Sequence, residues 1–313
     1  MSALDLHVSD AELDEYAEAI NPLRHVIDIS EVLGDVFDPR FYGIHKHPGD
    51  LLPWEKAARI GFRPGEVTLW VGINGHGKSA MTTQVALWWA LKGKPSCIAS
   101  FEMLPDRTVD RMLCQAAGGP LPAEEFAWDF FAHLKGKVLL YDRRDRVNLD
   151  ALYRVIRYTA TDRGVKHFWV DSLMKCVQGE DDYNGQKNLV CDLCTMAREL
   201  SIHIHLVHHV RKSGDEKGIP SKFDAKGSGA ITDQVDQVLT VWRNKAKEVE
   251  RADGTVDEGK PDFLLICDKN RHGSWEGKVA LWGDAESWHF RGTSQQPWAK
   301  GHEIPKRKLE RVA

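Results

Sequence analysis

The stretch GINGHGKS, residues 72–79, matches the pattern GxxxxGKS at every fixed position. An alternating strand-like stretch precedes it, and the helical pattern MTTQVALWWALK follows it. In such a loop the glycines let backbone amides surround phosphate oxygens, the lysine reaches the β- and γ-phosphates, and the serine hydroxyl holds Mg²⁺. The sequence therefore predicts a site for ATP, or another ribo- or deoxyribonucleoside triphosphate, with Mg²⁺. The expected contacts are Gly72, Asn74, Gly75, His76, Gly77, Lys78, Ser79 and Ala80.

Apolar stretches typical of strands alternate with helix-length segments from residue 66 onward. The predicted strands cover residues 66–72, 96–101, 137–141, 167–171, 202–208, 237–242 and 263–267. Helices are predicted after Lys78, from Pro105 to Gly118, after the cap residue Asn148, and over residues 186–200. This alternation predicts an α/β fold with a mostly parallel sheet flanked by helices.

The predicted core covers residues 61–292, between an N-terminal arm, residues 1–60, and a basic tail, residues 293–313. In the arm a short helix is predicted over residues 10–20, and the prolines and glycines of residues 35–54 predict an irregular linker. Within the core, the charged residues 243–261 predict an exposed hairpin or loop.

Composition excludes some classes of protein. Hydrophobic residues make up 42% and charged residues 28% of the chain, which is typical of a folded soluble protein. The longest apolar stretch, residues 85–91, is far shorter than the roughly 20 residues of a membrane helix, so no membrane partner is expected. The 6 cysteines are dispersed, which favours a reducing compartment and predicts a cytoplasmic location. With a net charge of −4, any DNA contact must come from local basic loops.

Two carboxylates are predicted at the edge of the sheet where ligands of open α/β folds bind. Glu102 follows the second predicted strand, where it could orient or deprotonate an attacking water, or simply cap the helix that starts at Pro105. Asp171 ends an apolar strand, where it could hold Mg²⁺ or be an ordinary strand-ending aspartate.

These motifs together resemble the RecA-type core of replicative ring helicases, a group that includes the DnaB family, the phage primase-helicases and mitochondrial Twinkle. The similarity extends over residues 63–290. It implies a RecA-like P-loop NTPase core and an ATP-driven DNA helicase motor for replication. The motor is expected to translocate 5′ to 3′ on single-stranded DNA and to form a ring with copies of itself, normally a hexamer. SFEMLP resembles the segment that carries the catalytic glutamate of that family, so Glu102 is expected to be the general base.

Further site residues follow from the resemblance. LVHHVRK, residues 206–212, resembles the strand end that senses the γ-phosphate, with His209 favoured and His208 as the alternative. CDKNRHG, residues 267–273, resembles the family's Lys-x-Arg element, so Arg271, assisted by Lys269, is expected to reach nucleotide bound by the neighbouring subunit. Trp282 could stack on the nucleotide base or lie in the core.

The predicted DNA contacts form a local basic group after His209. DAKGSGAITDQVD, residues 224–236, resembles the loop and helix that line the family's central channel. A flexible basic loop can follow the phosphates of a single strand without reading bases. The predicted contacts are Arg211, Lys212, Lys217, Lys222 and Lys226.

A zinc site built from Cys191 and Cys194 with His203 or His205 would require a second closely spaced ligand pair, which the sequence lacks. The two cysteines fit the buried face of a helix, and the two histidines alternate along one face of a strand. All four are therefore interpreted as structural.

The chain departs from the family before the core. Only about sixty residues precede it, so neither the N-terminal domain of DnaB nor a primase domain fits, and a separate primase, polymerase or loader is a candidate partner. This helicase-only form suggests a phage protein. Two alternatives stay open: a RecA-, RadA- or KaiC-like ATPase of recombination or regulation, which the Lys-x-Arg element disfavours, and a nucleotide-timed loader or scaffold without unwinding.

Overall fold

The structure is a computed structural model that describes residues 27–43, 49–142, 147–179, 182–209, 229–273, 275–295 and 304. The chain divides into two units, residues 1–48 and 49–313. The second unit starts before the predicted boundary at residue 61, because Trp54, Ala57 and Ile60 are buried in its core and Trp54 Nε1 donates a hydrogen bond to the carbonyl oxygen of Phe290, at 3.0 Å.

The described part of the first unit is helical where an irregular linker was predicted. Three consecutive turns cover Ile29–Val32, Leu33–Phe37 and Asp38–Tyr42. The prediction was wrong here because Pro39 lies in the first turn of the last segment, where a missing N–H breaks no hydrogen bond of the helix. The helix predicted over residues 10–20 lies outside the described residues.

A nine-stranded sheet forms the second unit in the described part of the chain, beside the two-stranded pair β1 and β2. The order in the large sheet is β11-β10-β9-β8-β3-β7-β6-β4-β5. Six neighbouring strands are parallel: β8, β3, β7, β6, β4 and β5. Strands β9, β10 and β11 extend the sheet beyond β8 and are antiparallel to their neighbours. The predicted mostly parallel sheet is therefore confirmed. The strands are β1 Asp50–Leu51, β2 Gly61–Phe62, β3 Val67–Gly72, β4 Ser96–Ser100, β5 Val138–Leu140, β6 His167–Asp171, β7 His203–His209, β8 Gln237–Arg243, β9 Phe263–Asn270, β10 Gly277–Gly283 and β11 Phe290–Arg291.

Helices cover both faces of this sheet, and each face has its own apolar core. One core joins α1, α2 and α3 to the sheet, and the other joins α4, α5 and α6 to it. Parallel strands buried on both faces explain why the sequence shows nearly continuous apolar stretches. The helices are α1 Lys78–Leu91, α2 Pro105–Ala117, α3 Glu124–Leu134, α4 Leu149–Thr161, α5 Tyr183–Leu200, α6 Gly229–Gln234 and α7 Lys245–Ala252.

The exposed hairpin or loop predicted for residues 243–261 was wrong for Lys245–Ala252, which form helix α7. Asn244 caps it by accepting a hydrogen bond from the backbone N–H of Lys247, at 3.1 Å. The helix lacks an apolar stripe, because the residue that it buries is Lys247, whose side chain is 1% exposed and pairs with Asp262. Periodicity of apolar residues therefore could not reveal it.

Three buried histidines lie at the amino end of the parallel strands. Trp70 Nε1 donates to His205 Nδ1 at 3.2 Å, so His205 must carry its proton on Nε2 and donate it to His167 Nδ1, at 3.1 Å. His167 then donates from Nε2 to Asp50, at 3.1 Å, while His203 Nδ1 donates to a backbone carbonyl at 2.7 Å. This closed network agrees with the structural interpretation of His203 and His205.

In the described part of the chain, no helix is both long enough and apolar enough to cross a membrane.

Candidate active site

The phosphate-binding loop connects the carboxyl end of β3 to the start of α1. Gly72 is required because a Cβ there would approach the carbonyl oxygen of Val241 to 2.5 Å, and Gly77 has a φ of +84°, in the left-handed region. Lys78 Nζ donates to the carbonyl oxygens of Gly72, at 2.8 Å, and Ile73, at 3.1 Å. Burial lowers the pKa of Lys78 to about 8, an effect opposed by the charges of Asp171 and Glu102. A phosphate chain would give this buried ammonium a stronger partner than carbonyl oxygens.

The remaining loop residues differ in their environment. Asn74 and Gly75 are exposed, and Ala80 is buried at the start of α1. His76 is fully buried, and its Nδ1 accepts a hydrogen bond from the backbone N–H of Arg243, at 3.1 Å. His76 therefore anchors the loop to β8.

Asp171 ends β6 beside the loop, where a metal ligand was predicted. Its side chain is buried and accepts a hydrogen bond from Ser79, and burial raises the pKa of Asp171 while that hydrogen bond opposes the rise. Among the described residues no hydrogen-bond partner faces its Oδ1. A hydroxyl and a buried carboxylate with spare acceptor capacity suit Mg²⁺, which binds through one or two protein oxygens, phosphates and water. Ser79 and Asp171 therefore fit the ion.

Glu102 follows β4 at the same edge of the sheet. Its Oε1 accepts hydrogen bonds from Ser172 Oγ, at 2.7 Å, and from His209 Nε2, at 3.0 Å. The hydrogen bond from His209 is the largest cause that lowers the pKa of Glu102, to about 2, with further lowering by Ser172 and Lys175. The carboxylate is thus charged and directly linked to the histidine that was predicted to sense the γ-phosphate.

Strand β7 ends with two histidines, His208 and His209. Among the described residues the buried Nδ1 atoms of His208 and His209 have no hydrogen-bond partner. Burial lowers the pKa of His208 to about 4, so its ring is neutral at physiological pH. His209, rather than His208, contacts Glu102, which favours His209 as the residue that faces the reaction.

A cavity of about 290 Å³ lies next to the loop, where Gly77 and Ala80 line it. Aromatic rings and charged groups line the rest of it: Arg243, Asn244, Glu248, Arg251, Asp262, Phe263, Gly283, Asp284, Ala285, Trp288 and Phe290. Its size and its contact with the phosphate-binding loop suit a nucleoside.

Trp282 does not line this cavity, contrary to the base-stacking alternative. The residue is 9% exposed, its Nε1 donates to the carbonyl oxygen of Glu258 at 3.1 Å, and Lys56 Nζ lies 5.3 Å from the centre of its ring. Trp288, which the sequence analysis missed, does line the cavity. It follows a turn rather than a patterned strand, so periodicity gave no signal for it.

Arg111 of α2 was also missed. The Arg111 guanidinium lies 5.6 Å from the centre of the Trp288 ring, and its buried Nε has no hydrogen-bond partner among the described residues. Burial lowers its pKa, and the charge of Asp171 opposes this. A half-buried cation beside Trp288 and within electrostatic reach of Asp171 could meet phosphate bound at the loop. Its position nine residues after Glu102, on helix α2, was the available signal.

Arg271 and Lys269 lie at the opposite, amino edge of the parallel strands. Lys269 Nζ donates to the carbonyl oxygens of Thr232, at 2.7 Å, and Asp233, at 3.0 Å. Arg271 pairs with Asp236 at 3.1 Å and donates to the Asp233 carbonyl at 2.7 Å. The structure therefore separates these two cations from the loop, Asp171 and Glu102 of their own chain. The predicted DNA contacts Arg211, Lys212, Lys217, Lys222 and Lys226 lie outside the described residues.

Solved structures share this architecture. A DnaB-like replicative helicase, described with its interactions with primase, aligns with a TM-score of 0.72 and 18% identity, over 90% of this chain and 73% of its own. A second solved structure, described as an ATPase domain, aligns with a TM-score of 0.61 and 18% identity, over 72% of this chain and 84% of its own. The fold is therefore the RecA-like P-loop fold of DnaB-like helicase domains. The family profile described as "AAA domain" matches residues 53–215, more than half of the sequence, and the chain belongs to that family.

Proposed function

We propose that the protein is the motor of a ring-shaped DNA helicase, which hydrolyses ATP or another nucleoside triphosphate to translocate 5′ to 3′ on single-stranded DNA and to unwind duplex in replication. One observation carries the proposal. The nucleotide-binding groups lie at the carboxyl edge of the sheet, whereas Arg271 lies at the amino edge. Thr68 pairs with Gln237 and Gln237 with Asn270, so about 13 Å of strand separates Arg271 from the loop after Gly72.

The proposed chemistry begins with Mg²⁺-nucleotide held by Lys78, Ser79 and Asp171. When bound, Mg²⁺ neutralises negative charge on the phosphates. Glu102 would take a proton from the attacking water. Its pKa near 2 makes it a weak base while His209 donates to it, so a turn of His209 towards the γ-phosphate would raise that pKa and activate Glu102.

Arg271 would complete the site of a neighbouring copy. An arginine can neutralise charge that develops on the transferred phosphoryl group, but Arg271 is too far from the loop of its own chain to do so. A closed ring of identical subunits, expected to be a hexamer, would bring the amino edge of one sheet to the carboxyl edge of the next. Each hydrolysis site would then be complete only in the assembly.

Single-stranded DNA is the proposed substrate track, in a cytoplasmic protein that works with a separate primase, polymerase or loader. The basic residues after His209 would contact the strand. Helix α6 follows them directly and is held at its carboxyl end by Lys269 and Arg271, which supports a link between DNA and the neighbouring nucleotide site.

The test measures nucleotide hydrolysis with and without single-stranded DNA, and strand separation on a forked duplex, for wild type and Arg271→Ala. We expect DNA to stimulate hydrolysis and the fork to be unwound. Arg271→Ala should retain nucleotide binding but lose hydrolysis by a factor on the order of 10³. Arg157→Ala, which removes an arginine from an exposed ion pair with Glu199, is the matched control and should behave as wild type.

If hydrolysis ignores DNA and no strand is displaced, the helicase proposal fails, and an ATPase that times the release of a partner becomes the better account. DNA-stimulated hydrolysis without unwinding would instead favour a recombination-type ATPase.

A further inference from the structure

Helix α7 forms one wall of the cavity beside the phosphate-binding loop, through Glu248 and Arg251. It is bound to the rest of the protein by charge. Lys247 Nζ contacts Asp262 at 2.9 Å, Glu258 at 3.2 Å and the carbonyl oxygen of Lys260 at 2.6 Å, and its side chain is 1% exposed. A lysine this buried is kept only with good partners, so its position is fixed.

The partner of Lys247 is fixed in turn. Asp262 precedes β9, and its Oδ2 accepts a hydrogen bond from the backbone N–H of Gly283, at 3.1 Å. Its Oδ1 also accepts from Arg251, at 3.1 Å. Asp262 and Gly283 both line the cavity, so Lys247 ties α7 to another part of the cavity wall.

The same helix holds Arg243 in place. Glu248 of α7 pairs with Arg243 Nε. The Arg243 guanidinium lies 5.7 Å from the centre of the Phe263 ring, and its Nη1 lies 3.5 Å from the carbonyl oxygen of Gly75 in the loop. Arg243 therefore spans from α7 to the phosphate-binding loop across one side of the cavity.

Resting on the proposed nucleotide binding, we infer that Lys247 is a positioning residue for the nucleoside part of the nucleotide. It holds α7 against Asp262, and α7 holds Arg243 beside the cavity through Glu248. The contacts of Lys247 Nζ are with Glu258, Asp262 and the carbonyl oxygen of Lys260, none of which belongs to the phosphate-binding loop. Its loss should weaken contacts to base and ribose and leave phosphate binding by the loop intact.

The test compares two Mg²⁺-bound ligands by calorimetry: ATP, and inorganic tripolyphosphate, which has the phosphate chain without a nucleoside. Lys247→Met should weaken the binding of ATP about tenfold or more and the binding of tripolyphosphate by less than about twofold. The reason is that a displaced side chain loses only the ligand contacts that it makes itself. Lys260→Met removes the same charge from an exposed side chain paired with Glu250 and should change neither affinity.

Glu248→Gln separates positioning from folding, and a double variant tests whether Lys247 acts through Arg243. Glu248→Gln leaves the buried lysine in place and should still weaken ATP more than tripolyphosphate, even if Lys247→Met does not fold. If Lys247 acts through Arg243, the double variant Lys247→Met/Arg243→Ala should bind ATP no more weakly than Arg243→Ala alone.

Equal losses for both ligands, or additive losses in the double variant, would overturn the positioning role while leaving the proposed function intact. An unchanged ATP affinity in Glu248→Gln would also overturn it. A wild type that binds neither ligand would overturn the proposed function, and this inference with it.

Discussion

Strand β7 carries four histidines, and its two ends use them differently. His203 and His205, at the amino end, are fully buried, and both ring nitrogens of each have a hydrogen-bond partner. His208 and His209, at the carboxyl end, each keep a buried Nδ1 without a hydrogen-bond partner among the described residues. The same residue type therefore closes a network at one end of the strand and leaves one open at the other.

The difference agrees with the proposed function, in which nucleotide binds at the carboxyl end of β7. Unsatisfied buried polar atoms cost stability, so they persist where a ligand satisfies them. The carboxyl edge also carries Asp171 Oδ1 and Arg111 Nε without partners among the described residues. Substitutions at the open, carboxyl end, His208 and His209, should lower hydrolysis and spare stability. Substitutions at the closed, amino end, His203 and His205, should lower stability and spare hydrolysis.

Glu102→Gln should give the largest effect. The amide cannot accept the proton of the attacking water, so the hydrolysis rate should fall by about 10³-fold, which corresponds to about 4 kcal/mol. Nucleotide affinity and melting temperature should stay near wild-type values. Single-turnover hydrolysis with calorimetric binding checks this, and hydrolysis within about fivefold of wild type would contradict the role of Glu102.

His209→Ala should give the next largest effect. It removes the proposed contact with the γ-phosphate, and this loss should outweigh the gain in basicity of Glu102 when its donor is removed. Hydrolysis should therefore fall by about 10²-fold, which corresponds to about 2.7 kcal/mol. His208→Ala is the matched comparison, since His208 does not touch Glu102 in the structure, and should be less affected. A greater loss for His208→Ala would reverse the assignment of the phosphate sensor.

His205→Leu sharpens the comparison from the closed end. It leaves the Trp70 N–H and His167 Nδ1 buried without their partner, so the free energy of unfolding should fall by about 2 kcal/mol. Hydrolysis per folded molecule should be unchanged. Urea unfolding and active-site-normalised rates measure the two quantities, and a rate loss without a stability loss would break the distinction between the ends.

Lowering the pH should also reduce the free energy of unfolding through His203 and His205, by less than the substitution His205→Leu does. Burial lowers the pKa of His203 to about 3 and that of His205 well below the ordinary 6.5. Well above pH 6.5 both rings are neutral in the folded and unfolded states. As the pH falls through 6.5 only the unfolded chain takes up protons at these rings, so stability falls. When the pH is lowered from about 7 to about 6, these two histidines should lower the free energy of unfolding by about 1 kcal/mol. In His205→Leu the free energy of unfolding should depend less steeply on pH.

Much of the fold could be predicted because its signals are local. The strand over residues 167–171 was predicted with its observed bounds, since a fully buried parallel strand is a short apolar stretch between polar residues. Helix α7 was not predicted, because a buried lysine replaces the apolar stripe that periodicity detects. Helix α3 was missed as well, although its apolar residues are abundant, because several of them stay exposed, including Trp128 and Phe131.

The candidate site also contains residues that local sequence patterns identify and residues that they do not. Lys78, Ser79, Glu102 and Asp171 could be located because a loop motif and strand ends identify them in the sequence. The wall around the cavity could not, since Arg243, Phe263 and Trp288 come together only through the antiparallel extension of the sheet. Trp282 illustrates the limit: the resemblance left it between base stacking and the core, and in the structure its indole donates to the carbonyl oxygen of Glu258 and lies beside Lys56.

The most direct test of a site shared between subunits mixes two inactive variants. Glu102→Gln and Arg271→Ala are each expected to lose about 10³-fold in hydrolysis. In a co-expressed assembly, the intact Glu102 of one subunit would meet the intact Arg271 of its neighbour at some interfaces. The account predicts that the mixture recovers hydrolysis far above either variant alone. Hydrolysis equal to the average of the two variants would contradict it.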